Sequence, residues 1–306
     1  MSELRVSIVI VNYNVKELIL TCLRSLFHFH SNHDLFEVIV VDNQSVDGSC
    51  KAISDEFPQV ILIENKENEG FPKANNQGFS IANGEFIFML NPDTEFIENS
   101  IVKMVSYMDQ HTNVSVLGPG LLNTDGSRQQ SVWRYPSLKS IFCEFHYLSV
   151  LLKQKNYREK DFTKIFEAES FSGAAIFFRT SVLEKIGNLD ETMFWIEDVE
   201  FCYRAVQSNL TCIYFPETKI VHHIGQSAKK NYNISLSNQL FNKIKFFKKH
   251  RSKFSANLVI MMTFIHVIQK IVVFGILSPL NVVYKRKAKA YIYTLPKVFN
   301  PPLGIA

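Results

Sequence analysis

The residues of this chain best suited to chemistry are a few carboxylates set beside apolar runs. Leu90-Asn91-Pro92-Asp93 closes the run Phe86-Ile87-Phe88-Met89-Leu90 and leaves Asp93 where a buried strand would emerge. An Asp at such a strand end can hold a divalent cation on a phosphate, although Asn, Pro and Asp are also ordinary turn residues. Asp42 follows Val38-Ile39-Val40-Val41. There it can accept from the imide N–H of uracil or thymine, or cap a helix beginning near Asp47. Glu197, Asp198 and Glu200 lie close together beside Phe194, Trp195 and Phe201. Apolar surroundings raise a carboxyl pKa toward neutrality and suit a general base, while acids at a helix start also complement the macrodipole. His222 and His223 end a strand-like segment, and neighbours in an extended chain face opposite sides, so at most one of them can meet a metal. Segment 68–78 joins Asn68, Gly70, Pro72, Lys73 and Asn75. A helix N-terminus with a nearby lysine suits a phosphate or ribose, and equally a capped surface helix.

The elements that must position these groups alternate. Val6-Ser7-Ile8-Val9-Ile10-Val11, residues 38–41, 60–63 and 86–90 are short continuous apolar runs, and segments compatible with helices follow the first three. This pattern predicts a parallel sheet covered on both faces, with the polar strand ends gathered along one edge. Further helices are expected over 98–110, 180–186 and 197–207, with strands near 114–117, 172–178 and 210–214. Residues 133–167 are rich in aromatic and basic side chains without a clean period, as in a variable loop or small helical insert. The segment after the first strand, Asn12-Tyr13-Asn14-Val15-Lys16-Glu17, has no glycine, which excludes a dinucleotide site of the GxGxxG kind.

Composition fits a packed α/β protein: 46% of the 306 residues are hydrophobic and 20% charged. The five cysteines form no CxxC pair, and a reducing compartment is expected. Met1-Ser2-Glu3-Leu4-Arg5 passes straight into a strand-like run without a basic, apolar leader, so a cytoplasmic location is expected. The net charge of +4 conceals a division. All 29 acidic residues lie at or before Glu217, and residues 218–306 carry +15, which points to a polyanionic surface. Within that tail Lys243, Lys245, Lys248, Lys249, Arg251 and Lys253 precede an apolar stretch, 254–284, whose one charge is Lys270; Lys285, Arg286, Lys287 and Lys289 follow. Cations flanking an apolar helix suit an anionic membrane rather than nucleic acid. His266, Gln269, Lys270 and Pro279 interrupt the roughly 20 apolar residues that a crossing needs, which favours a helix lying in the membrane surface. Packing on the enzyme or on a second subunit is the alternative.

In this order the motifs resemble a family 2 glycosyltransferase of the GT-A fold, in the bacterial branch containing rhamnosyltransferases. The resemblance spans 6–227 and rests on Val9-Ile10-Val11-Asn12-Tyr13-Asn14, Val41-Asp42-Asn43-Gln44-Ser45-Val46-Asp47-Gly48, segment 68–78, Leu90-Asn91-Pro92-Asp93, Phe171-Ser172-Gly173-Ala174, Glu197-Asp198 and His222-His223-Ile224-Gly225-Gln226-Ser227. It implies a mostly parallel nucleotide-binding sheet flanked by helices over 1–235, beyond which the charge and hydropathy pattern leaves a basic, apolar helical extension over 236–306. It also implies an inverting transfer from dTDP-rhamnose or a UDP-hexose to a hydroxyl of a lipid-linked or saccharide acceptor in surface polysaccharide synthesis, on the inner face of the plasma membrane. By the same resemblance Asn12, Asn14, Asp42, Asn68, Gly70, Lys73, Asn75, Asn91 and Trp195 serve the donor. Asp93 and His222 hold Mg²⁺ or Mn²⁺, and Asp198, with Glu197, is the base. Asn91 departs from the usual Asp-x-Asp and is a weaker ligand for a hard cation; His223 is the alternative ligand if the strand register differs by one. The rival readings are a sugar nucleotidyltransferase, for which the loop after the first strand lacks glycine and arginine, and a non-catalytic subunit that binds a nucleotide-sugar or a membrane partner.

Overall fold

The structure, a computed structural model, describes residues 4–30, 33–146, 157, 159–223 and 232–300. Ile224-Gly225-Gln226-Ser227 of the last motif therefore lie outside the described residues. The first half alternates as expected: β1 (Val6–Asn12), α1 (Lys16–Phe29), β2 (Phe36–Asp42), α2 (Ser49–Glu56), β3 (Ile61–Glu64), α3 (Phe71–Ile81) and β4 (Phe86–Leu90). Then come β5 (Thr94–Phe96), α4 (Ser100–Gln110), β6 (Val114–Leu122), β7 (Val132–Trp133), α5 (Leu138–Phe145), β8 (Phe166–Glu167), β9 (Ser170–Phe171), β10 (Ala175–Arg179), α6 (Ser181–Ile186), α7 (Glu197–Gln207) and β11 (Thr211–His222). Three helices end the described chain: α8 (Tyr232–His250), α9 (Lys253–Leu277) and α10 (Val282–Thr294).

The main sheet runs β3-β2-β1-β4-β10-β6-β11-β5. Strands β1 to β4 pair in parallel, as do β6 and β11, while β10 runs antiparallel between β4 and β6. Side chains of a strand alternate between faces, and β1 divides its apolar residues accordingly. Ile8 and Ile10 join a core with Leu23 and Leu26 of α1 and Met104 and Met108 of α4; Val9 and Val11 join another with Ala74 of α3 and Phe201 of α7. Strands β1, β2 and β4 are thus buried on both sides, which is why they read as unbroken apolar runs, while the edge strand β3 stays partly exposed. Gly78 sets the depth of α3 on β1, because a Cβ there would stand 2.4 Å from Val9 Cγ1.

Two features differ from the expectation in extent. Strand β6 runs to Leu122 and β11 to His222, and β11 shifts register against β6 between Phe215 and Lys219. That irregularity bends β11 so that its last residues pair with β5: Ile220 with Phe96, Val221 with Glu95 and His222 with Thr94. The apolar stretch 254–284 is two helices, since α9 ends at Leu277 just before Pro279, which cannot continue a helix. Helices α8, α9 and α10 share a third apolar core with Ile141 and Phe145 of α5 and Tyr203 of α7.

Candidate active site

The carboxyl edge of the sheet brings most of the expected residues into four connected groups. In the first, the loops after β1 and β2 are knitted together. Asn14 donates its backbone N–H to Ser45 Oγ at 2.8 Å and accepts from Val46 N–H through Oδ1 at 2.8 Å. Asn12 Nδ2 donates to Asp42 Oδ2 at 2.7 Å, and Asp42 Oδ1 accepts from Ser45 N–H at 2.7 Å. Asp42 is 1% exposed, so it braces this loop from inside instead of capping a helix; Asp47 bonds to the first turn of α2. The exposed rim of these loops is Tyr13, Gln44, Val46, Asp47 and Gly48.

The second group is segment 68–78. Gly70 has φ +82° and ψ 160°, a conformation open essentially to glycine, and Asn68 Oδ1 accepts its N–H at 3.0 Å. Lys73 is engaged by Glu69 at 2.5 Å, so a phosphate would have to share it. Asn75 is fully buried, its Nδ2 donating to Phe71 O, and faces the helix rather than the edge. Asn76 instead reaches across, accepting from Leu189 N–H and donating to Leu189 O and Glu191 Oε1, each at 3.0 Å.

The third group forms where β5 meets β11. Their register sets His222 opposite Thr94, and the next backbone bond runs from His223 N–H to Asp93 O at 2.8 Å. His222 Nε2 consequently stands 3.2 Å from Asp93 Oδ1, with the two side chains 12% and 13% exposed. His223 turns away and pairs with Glu95 Oε2 at 3.0 Å. Gln129 orients the inward histidine. Its Nε2 donates to His222 O, Asn123 Oδ1 and Leu122 O, which turns Oε1 toward His222 Nδ1 at 2.7 Å. An acceptor at Nδ1 takes the proton there, and Nε2 faces the carboxylate. Oxygen plus imidazole, with the remaining positions left to phosphate oxygens, suits Mn²⁺ or Mg²⁺, and no group of three acidic, His or Cys ligands occurs among the described residues.

The fourth group is the first turn of α7. Asp198 Oδ2 accepts from Gly173 N–H at 2.6 Å and Oδ1 from Val199 N–H at 2.7 Å. Gly173 permits this approach, since a Cβ there would stand 3.3 Å from Asp198 Oδ2. Burial pushes the Asp198 carboxyl up to about 6, against the opposing effect of these N–H bonds. Burial and the charge of Asp198 push Glu197 up to about 8, and Glu197 Oε2 is buried without a partner. Trp195 precedes the turn at φ +94°, 39% exposed. The third and fourth groups are fastened together, because Asn91 N–H donates to Ala174 O at 2.9 Å, next to Gly173.

Residues 7–187 match the family model described as glycosyl transferase family 2. The chain belongs to that family. Among family 2 relatives, it is 30% identical over 209 residues to a low-salt glycan biosynthesis hexosyltransferase of Haloferax volcanii, covering 67% of this chain and 62% of that one. It is 24% identical over 212 residues to an N-acetylglucosaminyl-diphospho-decaprenol L-rhamnosyltransferase of Mycobacterium tuberculosis, covering 63% and 68%. A dTDP-rhamnosyl transferase of Shigella flexneri is 27% identical over 208 residues, covering 65% and 64%. The match thus spans less than two thirds of the first relative's length. Among solved structures, a mannosyltransferase of Pyrobaculum calidifontis in complex with GDP-mannose and Mn²⁺ aligns with a TM-score of 0.59 at 15% identity, over 97% of this chain and 88% of that one. Such likeness establishes the GT-A fold of this family 2 chain, a mostly parallel sheet flanked by helices with a helical C-terminal extension.

The roles of two contributors were not legible in the sequence. Gln129 lies in no recognisable motif and acts only because the bend in β11 brings His222 to it. Gly173 stands inside a motif, but its N–H bond to Asp198 arises from tertiary structure.

Proposed function

We propose that this chain is an inverting glycosyltransferase that moves a sugar from a nucleoside-diphosphate donor, dTDP-rhamnose or a UDP-hexose, to a hydroxyl of a lipid-linked or saccharide acceptor. What supports transfer over mere binding is Asp198: a carboxyl raised toward neutrality and aimed by two N–H groups, on the same sheet edge as the Asp93–His222 pair. The loops at Asn12–Asn14 and Asp42–Val46 receive the base, with Asp42 shaping them from within, and segment 68–76 completes the nucleotide side. Asp93 and His222 would hold the cation, which when bound would supply charge neutralisation for the diphosphate leaving group. Asp198 takes the proton from the acceptor hydroxyl as its oxygen attacks the anomeric carbon, and this single displacement inverts that centre. Glu197, neutral near pH 7, adds no second charge to repel Asp198. The names of the rhamnosyl and hexosyl relatives favour these donors. Thermal stabilisation by a panel of nucleotide-sugars with Mn²⁺ present tests the reading: dTDP-rhamnose or a UDP-hexose should raise Tm, and a panel without effect would refute it.

We further infer that residues 236–306 place the enzyme on the anionic inner leaflet of the plasma membrane. Helix α9 packs a mixed face against the protein, Ala256, Val259 and Val267 together with Thr263, His266 and Lys270, while Phe254, Leu258, Met261, Ile265, Val272 and Ile276 point outward. Its most apolar 18 residues have a mean hydropathy of 2.1, and only 28% of them are buried. The polar residues of the packed face and the packing of α9 on α5 and α10 favour a helix lying in the interface over one that crosses. Exposed Lys248, Arg251, Lys285, Arg286 and Lys289 suit anionic headgroups.

A further inference from the structure

The last two turns of α8 hold the loop that leads into α7. Lys245 Nζ donates to Thr192 O at 2.6 Å. Lys249 Nζ meets Asp190 Oδ2 at 2.5 Å and Glu200 Oε1 at 2.9 Å, and His250 Nε2 lies 2.9 Å from the same oxygen. Glu200 is fully buried, one residue beyond the turn formed by Glu197, Asp198 and Val199. Arg204 grips both its oxygens, at 3.0 and 2.9 Å, and reaches Asn188 O at 2.7 Å. A buried carboxylate is tolerated only when compensated by charge and hydrogen bonds, and part of this compensation comes from the C-terminal extension. On the other side Asn76 of α3 holds Leu189 and Glu191. Loop 188–196, which carries Trp195 in its left-handed conformation, is thus held from the nucleotide side by α3 and from the extension by α8.

We infer that Lys249 is a positioning residue for the acceptor side: by bridging Asp190 and Glu200 it holds loop 188–196 against α7, and so keeps Asp198 in register with Gly173. The inference rests on the reading of Asp198 as the base. It gives the extension a second role beyond attachment, because the helix preceding the apolar α9 also sets the geometry of the catalytic turn. Lys249→Met removes the bridge while Arg204 and His250 still compensate Glu200, so the fold is kept.

The test uses the full chain with Lys249→Met, Lys249→Arg and Asp198→Asn, followed by hydrogen exchange, binding of UDP and dTDP with Mn²⁺, and steady-state transfer with the donor found by the panel. Lys249→Met should raise exchange about tenfold in peptides spanning 188–200, with sheet peptides unchanged. It should lower kcat about tenfold, with donor KM and nucleotide affinity within about twofold, and Lys249→Arg should restore both readouts. Unchanged exchange over 188–200, exchange raised evenly along the chain, or an unchanged kcat would each overturn the inference. Its failure is separable from failure of the base assignment. An inactive Asp198→Asn with an unperturbed Lys249→Met refutes the bridge alone, whereas a fully active Asp198→Asn refutes the base and with it the catalytic part of this role.

Discussion

His222 Nε2 lies 3.2 Å from Asp93 Oδ1, and Gln129 Oε1 lies 2.7 Å from His222 Nδ1. The amide thus orients the histidine so that its Nε2 stands beside the carboxylate. Partners of this kind contribute about 10–100-fold to metal affinity. Gln129→Leu should weaken Mn²⁺ binding, measured with dTDP or UDP present, by about that factor, and Asp93→Asn by more. Unaltered Mn²⁺ affinity in Gln129→Leu would remove the amide from the account. Chelation by EDTA should abolish transfer, and added Mn²⁺ or Mg²⁺ should restore it; full activity in chelator would count against the role given to Asp93.

The pH profile has a defined sign. Asp198 must be ionised to accept a proton, so kcat/KM should rise with pH through an apparent pKa near 6. Glu197, pushed up to about 8, stays protonated over that range, and a glutamine there mimics its neutral form. Glu197→Gln should therefore keep the acid limb near 6. A limb displaced below 5 in this variant would show that the two carboxyls titrate as one unit.

Gly173→Ala is a steric test of the base. A Cβ placed 3.3 Å from Asp198 Oδ2 forces a shift of a few tenths of an ångström at a group whose aim matters. The expected result is a fall in kcat of about tenfold or more, with nucleotide binding retained. Wild-type kcat would show that Asp198 does not need this alignment.

The sheet was legible because its inner strands are buried on both faces and read as apolar runs, each closed by polar residues. The pairing of β5 with β11 was not. Three residues carry no period, and the bend in β11 depends on a register shift that only tertiary structure displays. The Asp42 carboxylate could be assigned to a strand end, but not its inward bond from Asn12, which arises between loops 30 residues apart in the chain. Likewise, hydropathy located the apolar stretch of the extension without telling which stripe of α9 would pack. It is a mixed one, in which Ala256, Val259 and Val267 pack together with Thr263, His266 and Lys270.

The outward apolar stripe of α9 allows a gentler test of membrane attachment than deletion. Truncation after Lys253 would uncover Phe241, Ile244 and Phe247 of the third core. Ile265→Glu with Ile268→Glu changes only the outward stripe. The doubly substituted chain should lose sedimentation with anionic vesicles while its Tm stays within about 2 °C, as expected for surface positions. Undiminished sedimentation would refute the membrane-facing assignment of α9.

The central claim, that Asp198 is the base of a sugar transfer, is tested most directly by Asp198→Asn. With Mn²⁺ and the donor found by the panel, the account predicts transfer slowed about 10²–10⁴-fold and donor binding unchanged. Transfer at the wild-type rate would contradict it.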